Sequence, residues 1–236
     1  MEYVLLTGIT SSIGSSIAIS LSKKFSIIMS GRNIEEINIV KSKLNGDGHL
    51  IWQCDFLNDN ISQSLKDFLE LNDIKPNHYL HIGGYFSISP IRLQKKEDTL
   101  KSFQVNVFSA IEIIRVLNKK EYKLKLKNIL FFSSISSIRG KSGFAIYASA
   151  KSALHGLMKS LAIELSPIKV NSIILGAVMT KTTENMLLDK EDFLNSHIPL
   201  GLAKDDVLNE WINFLLTKKT WMTGQELIID GGATVL

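Results

Sequence analysis

Tyr3-Val4-Leu5-Leu6-Thr7-Gly8-Ile9-Thr10-Ser11-Ser12-Ile13-Gly14 decides the fold of this 236-residue chain. A short β-rich run meets a helical period across a turn that carries glycine at both ends. Gly8 permits a tight turn, and Gly14 lets the helix pack closely on the strand. The helix start then offers amide N–H groups and a positive dipole end, which together suit an anion such as a pyrophosphate. Ser11 and Ser12 add hydroxyl donors.

The same alternation repeats along the chain. Strand candidates are Tyr3–Thr7, Ser26–Ser30, His49–Cys54, His78–Ile82, Asn128–Ser133, Lys169–Leu175 and Glu226–Ile229. Several are continuous apolar runs, such as Ile129-Leu130-Phe131-Phe132, as expected of strands buried on both faces. Helical periods fall over Ser12–Lys24, Ile34–Leu44, Ile61–Leu71, Thr99–Asn118, Phe144–Leu165 and Asp205–Leu216. Repeated strand–helix units of right-handed connection build a parallel sheet. The expectation is one α/β domain over residues 1–236, doubly wound, with a seven-stranded parallel sheet and helices on both faces. Two segments break the rhythm. Lys123-Leu124-Lys125-Leu126-Lys127 alternates with period two and reads as a strand entry with solvated lysines, or as a docking patch for an acidic partner. Thr180–Pro199 follows a strand end, where open α/β sheets place ligands, and reads as a helical flap over the cleft.

Composition excludes other classes. The chain is 45% hydrophobic and 21% charged with 15 Gly and 4 Pro, which rules out disordered and fibrous proteins. Cys54 is the single cysteine, so no internal disulfide or thiolate metal cluster forms, as fits a reducing cytosol. Glu2-Tyr3-Val4-Leu5-Leu6 carries no basic n-region, and no run reaches the roughly 18 apolar residues of a bilayer helix. A cytoplasmic protein without membrane or nucleic-acid partners is expected. The net charge of +4 is mildly basic and suits acidic ligands.

The second strand ends in Met29-Ser30-Gly31-Arg32-Asn33. A dinucleotide site that selects NAD(H) places a carboxylate here for the ribose 2′-OH. No carboxylate stands in this run, and Arg32 can pair with a 2′-phosphate. The reading is NADP(H) preferred, with NAD(H) possible.

Tyr147-Ala148-Ser149-Ala150-Lys151 places a phenol and an ammonium four residues apart on one helix face. A phenol near pKa 10 is a poor acid–base at neutral pH; lowering it by about 3 units takes roughly 4 kcal/mol. A nearby ammonium and an oxidised nicotinamide both favour phenolate. Ser134 lies thirteen residues earlier, at a strand end, where its hydroxyl can hold a carbonyl oxygen.

In these residues the chain resembles the short-chain dehydrogenase/reductase (SDR) family, over nearly its whole length. Thr7–Gly14 is similar to the family's glycine-rich turn. Ser134, Tyr147 and Lys151 fall where its catalytic serine, tyrosine and lysine fall, and Asn106 matches the fourth member of that set. Cys54-Asp55-Phe56 resembles the segment that contacts adenine. Val170 to Thr180 resembles the segment that contacts nicotinamide, through Gly176, Val178 and Thr180. Trp221 to Leu227 and Asp230-Gly231-Gly232 resemble the family's C-terminal strand. Three departures stand out. Ser12 replaces a glycine, Leu175 replaces a proline, and His81-Ile82-Gly83-Gly84 replaces Asn-Asn-Ala-Gly. The retained glycines imply that cofactor binding survives. A lone His81 at a strand end reads as structural, and no metal-ligand spacing accompanies it.

The resemblance implies a Rossmann-type fold and hydride transfer between nicotinamide C4 and a carbonyl or alcohol carbon. It implies that Tyr147 gives a proton to the alkoxide, Ser134 holds the same oxygen, and Lys151 lowers the tyrosine pKa and binds the ribose. Asn106 would hold a water that re-protonates the lysine side. It implies cofactor contacts from Gly8, Thr10, Ser11, Ser12, Ile13, Gly14, Arg32, Asn33, Asp55, Phe56, Ile82 and Gly83 as well.

Substrate readings stay open. Size and C-terminal strand resemble bacterial 3-oxoacyl-(acyl-carrier-protein) reductases, with Lys119, Lys120, Lys123, Lys125 and Lys127 available to steer an acidic carrier. Arg139 and Lys141, between Ser134 and Tyr147, would suit a phosphorylated keto-sugar or another polar ketone. The tyrosine-to-lysine gap of four argues against the enoyl-reductase branch. A catalytically silent NADP-binding regulatory protein is the alternative of another class; NADPH binding without turnover would mark it. Small residues Ala145, Ala148, Ala150, Ala153 and Gly156 allow close helix packing, and the resemblance implies a homodimer or homotetramer.

Overall fold

The structure is a computed structural model and describes residues 2–180 and 197–235. Its strands are β1 (Tyr3–Thr7), β2 (Ser26–Gly31), β3 (Leu50–Gln53), β4 (His78–His81), β5 (Asn128–Ser134), β6 (Lys169–Leu175) and β7 (Glu226–Ile229). All pair in parallel, in the order β3-β2-β1-β4-β5-β6-β7. The chain winds outward from β1 to one edge and resumes at β4 on the other side of β1. The carboxyl ends of β1 and β4 therefore flank the point where winding reverses, which is where such sheets open a crevice. The doubly wound α/β expectation is met.

The helices are α1 (Ser12–Leu21), α2 (Ile34–Lys41), α3 (Ile61–Leu71), α4 (Lys96–Phe103), α5 (Ser109–Leu117), α6 (Lys120–Lys123), α7 (Ala145–Glu164) and α8 (Asn209–Thr217). Neighbouring strand residues enter opposite cores, because side chains alternate across a sheet. Leu5, Ile28, Ile129 and Val170 pack with α3, α5 and α7 on one face. Val4, Leu6, Met29 and Leu130 pack with α1, α2 and α8 on the other. Burial on both faces explains the unbroken apolar runs.

Two expectations change. The long helical period over Thr99–Asn118 starts earlier, at Lys96, and is interrupted by a π-helical turn at Gln104–Phe108. The lysine alternation is not a strand. Lys123 ends α6, turns follow through Leu126, and β5 begins at Asn128. Leu124 is exposed and Leu126 buried because the chain is turning, not because a sheet face alternates. Residues 181–196 of the expected flap lie outside the described residues.

Candidate active site

The first turn is built as its residues dictate. Ser11 caps α1: its hydroxyl oxygen accepts from the Gly14 amide at 3.0 Å and donates to the Gly8 carbonyl at 2.8 Å. Gly8 has φ +71°, and a Cβ there would lie 2.6 Å from the Gly83 amide nitrogen. Only glycine lets the β1 and β4 loops approach so closely. The resulting cleft of about 550 Å³ runs from this turn past Arg32 and Asp55 to Tyr147 and Lys151.

The structure brings most of the expected residues to that cleft. Gly8, Thr10, Ser11, Ser12, Ile13, Arg32, Asp55, Phe56, Ile82, Gly83, Tyr147, Lys151 and Thr180 line it. Four of the expected cofactor residues do not line it, nor do Ser134 and Asn106. Gly14 packs under the turn, where a Cβ would meet the Gly8 carbonyl at 2.3 Å. Asn33 caps α2, its Oδ1 accepting from the Glu35 and Glu36 amides. Gly176 abuts Asp230, and Val178 is buried and bridges to Ala203. The reading of Met29–Asn33 found no carboxylate, yet Glu36 stands on the wall beside Arg32. No local signal marked it, since Arg32 precedes α2 and shares no helical face with Glu36. Gly84, one of the retained glycines, lines the cleft too; Tyr85 and Phe86 also line it and were missed, although the pair follows the Gly83-Gly84 turn directly.

At the far end the four matched residues converge from three elements. Ser134 ends β5, and its hydroxyl faces Tyr147 on α7 closely enough to favour the phenolate. Lys151, one helical turn on, is buried and lies with Nζ 5.9 Å from the Tyr147 ring centre. That Nζ donates to the Phe132 carbonyl at 2.9 Å. Asn106 sits fully buried in the π-helical turn, its amide donating to the Tyr85 and Ser102 carbonyls. Burial pushes the Tyr147 phenol up to about 12, with the Ser134 hydrogen bond pulling the other way. Burial also draws Lys151 down to about 8. The lysine's pull on the phenol, expected from spacing, does not dominate: desolvation does. A protonated phenol beside a serine hydroxyl is an acid aimed at one oxygen position.

Of the two cation clusters, the lysine run offered for steering an acidic carrier stands away from this end. Lys127 precedes β5, whereas Ser134 ends it, so the lysines lie at the opposite end of the sheet from Tyr147. Lys127 pairs with Glu2 there. Arg139 is committed to the main-chain carbonyl of Ala233, and Lys141 stands 4.9 Å over the Phe144 ring. Among the described residues no group of three His, Cys, Asp or Glu could hold a metal ion. Nor, among the described residues, is any helix long and apolar enough to cross a membrane.

A sheet of this winding, with a glycine turn at one end of its crevice and a serine–tyrosine–lysine set at the other, defines a dinucleotide-dependent oxidoreductase. The family model described as enoyl-(acyl carrier protein) reductase matches residues 8–234. The chain is 29% identical over 237 residues to 3-oxoacyl-(acyl-carrier-protein) reductase of Rickettsia bellii, covering 98% of this chain and 96% of that protein. It is 27% identical over 224 residues to carbonyl reductase family member 4 of Xenopus laevis, covering 93% and 92%. A solved structure titled 4-hydroxyisoleucine dehydrogenase complexed with NADH superposes with TM-score 0.91 at 25% identity, covering 100% of both chains. The chain belongs to the short-chain dehydrogenase/reductase family, whose NAD(P)-dependent members oxidise CH–OH or reduce C=O groups.

Proposed function

We propose that this protein is an NADPH-dependent ketone reductase acting on a 3-oxoacyl thioester. The observation that carries the substrate reading is an aromatic wall. The Phe86 ring meets the Tyr147 ring edge-on, with centres 4.9 Å apart, and Phe144 packs 5.6 Å from Phe86. Such a wall favours an acyl chain over a sugar, whose hydroxyls would lose water there without partners. Arg139 is held at the Ala233 carbonyl, whereas Lys141 stands over Phe144 of this same wall, so a keto-sugar phosphate is the competing substrate to test.

The residues present fit a dinucleotide. The glycine turn admits backbone close to a pyrophosphate, and a Cβ on Gly84 would stand 3.0 Å from Asn106 Oδ1 and 3.2 Å from Lys151 Nζ. Gly8, Ser11, Ser12 and Ile13 would hold the pyrophosphate, Arg32 the 2′-phosphate, and Lys151 the nicotinamide ribose. When bound, the reduced nicotinamide supplies the hydride. Tyr147 donates its proton to the alkoxide oxygen as negative charge builds there. Ser134 donates a hydrogen bond to the same oxygen and excludes water from that side. Lys151, held at the Phe132 carbonyl, stabilises the phenolate that remains. The whole chain serves as one dinucleotide-binding unit.

Assembly follows from surface. Trp221 is fully exposed, and Ile163, Phe214 and Ile228 are exposed too; a second copy of the chain is the partner that would cover them. Light scattering behind size exclusion should give a dimer or tetramer mass, and a monomer at micromolar concentration refutes this.

The test of function is NADPH oxidation with a short 3-oxoacyl thioester beside a keto-sugar phosphate. Turnover of the thioester, lost by about 10²-fold or more in Tyr147→Phe with NADPH affinity unchanged, supports the reading. Turnover of the sugar alone overturns the substrate class. NADPH binding without turnover of any ketone points to the silent regulatory protein.

A further inference from the structure

His81 occupies a position where the sequence departs from the pattern it otherwise resembles, and the reaction set above does not use it. It is fully buried at the end of β4. Its Nε2 lies 3.1 Å from the main-chain carbonyl of Asn106, which can only accept. Nε2 therefore carries the proton, and Nδ1 is left as an acceptor. Nδ1 takes its hydrogen bond from the Tyr79 hydroxyl at 2.8 Å, with Thr7 Oγ1 3.3 Å away. Tyr79 is itself fully buried, so the imidazole is clamped from the sheet side in one tautomer and one orientation.

The consequence falls on Asn106. Its main-chain carbonyl accepts from His81 Nε2–H. Its side-chain nitrogen is spent on the Tyr85 and Ser102 carbonyls. What remains is Oδ1, a buried acceptor without a protein partner. Oδ1 and Lys151 Nζ both border the space over the Gly84 α-carbon, at 3.0 and 3.2 Å from where a Cβ would stand. A buried orphan acceptor facing an ammonium across a gap kept open by glycine is a place for a bridging water.

We propose that His81 is a positioning residue for the proton path: by taking the Asn106 main-chain carbonyl, it fixes the π-helical turn so that Asn106 Oδ1 holds the water that returns a proton to Lys151. Each reduction consumes one proton at Tyr147 Oη. One proton from solvent must replace it, entering through this water and Lys151 Nζ. His81 donates no proton in this scheme; burial draws it down to about 3, so it stays neutral throughout. The inference rests on the reductase reading of Tyr147 and Lys151.

The test compares His81→Leu, which removes both hydrogen bonds, with His81→Gln, whose amide can still donate to the Asn106 carbonyl. With a short 3-oxoacyl thioester and NADPH, His81→Leu should lose about tenfold in kcat, with KM and NADPH Kd within about twofold of the wild type. His81→Gln should recover most of that rate. Equal loss in both variants, or no loss in His81→Leu, overturns the proposal. A second readout does not depend on turnover or on a variant that folds. Imidazole 15N shifts of the wild-type NADPH complex should show the Nε2–H tautomer unchanged from pH 5 to 9, and a titrating or Nδ1–H His81 overturns the proposal. Absence of turnover in the wild type, with the tautomer as expected, would instead refute the reductase reading.

Discussion

At the scale of single residues, the adenosine end of the cleft sets two opposite charges against each other. Arg32 and Glu36 line the same wall; in the proposed NADPH reading Arg32 would attract a 2′-phosphate, while Glu36 would repel one and could accept from a ribose hydroxyl. Arg32→Ala should cut the NADPH-over-NADH ratio of kcat/KM by about tenfold, the value of one lost charge-assisted hydrogen bond. Glu36→Gln should raise the same ratio. Steady-state kinetics with both cofactors checks the pair, and a rise with Arg32→Ala or a fall with Glu36→Gln would refute the assignment. The placement of Tyr147 and Lys151 on one helix was legible because their spacing of four puts a phenol and an ammonium on one face. Glu36 and Phe86 were not, because nothing local distinguishes a solvated helix carboxylate or a loop phenylalanine from one that faces a cleft. His81 was legible as structural but not as a partner of Asn106, twenty-five residues away.

At the scale of elements, α1 packs through Ile17, Ala18 and Leu21 and begins where Ser11 caps it. The residue caps the helix and ties the cap back to Gly8. Ser11→Ala should destabilise the fold by about 1 kcal/mol, read by urea titration. It should also weaken NADPH binding, since the turn that orients the first helical amides loosens. No change in either measurement would show that Gly8 alone holds the turn. Element positions were legible from periodicity, and all seven strands fell within a residue or two of their expected ends. The break between α4 and α5 was not, because a π-helical turn leaves the apolar period nearly intact. The same holds for Lys123–Lys127, where an alternation of lysine and leucine fits a strand as well as it fits successive turns.

At the scale of the whole molecule, the buried histidines tie stability to pH. Burial holds His78 at about 4 and His81 at about 3, against an ordinary value of 6.5. Between those values the unfolded chain binds more protons than the folded one. Stability is therefore complete above pH 6.5 and falls as pH drops through 4 towards 3, on the order of 3 kcal/mol for each histidine by pH 4. Thermal unfolding in a pH series checks this, and a flat melting temperature from pH 7 to 4 would refute it. The amino-acid sequence by itself determined the parallel sheet, its seven strands, the glycine turn and the serine–tyrosine–lysine set, since each rests on local periodicity, backbone freedom or side-chain chemistry. Only the tertiary structure decided what those groups face. It carried the lysine run to the far end of the sheet, spent Arg139 on a main-chain carbonyl, stood Phe86 against Tyr147 and joined His81 to Asn106. Those outcomes depend on distances between residues far apart in the chain, which the packing of strands and helices fixes and no local pattern encodes.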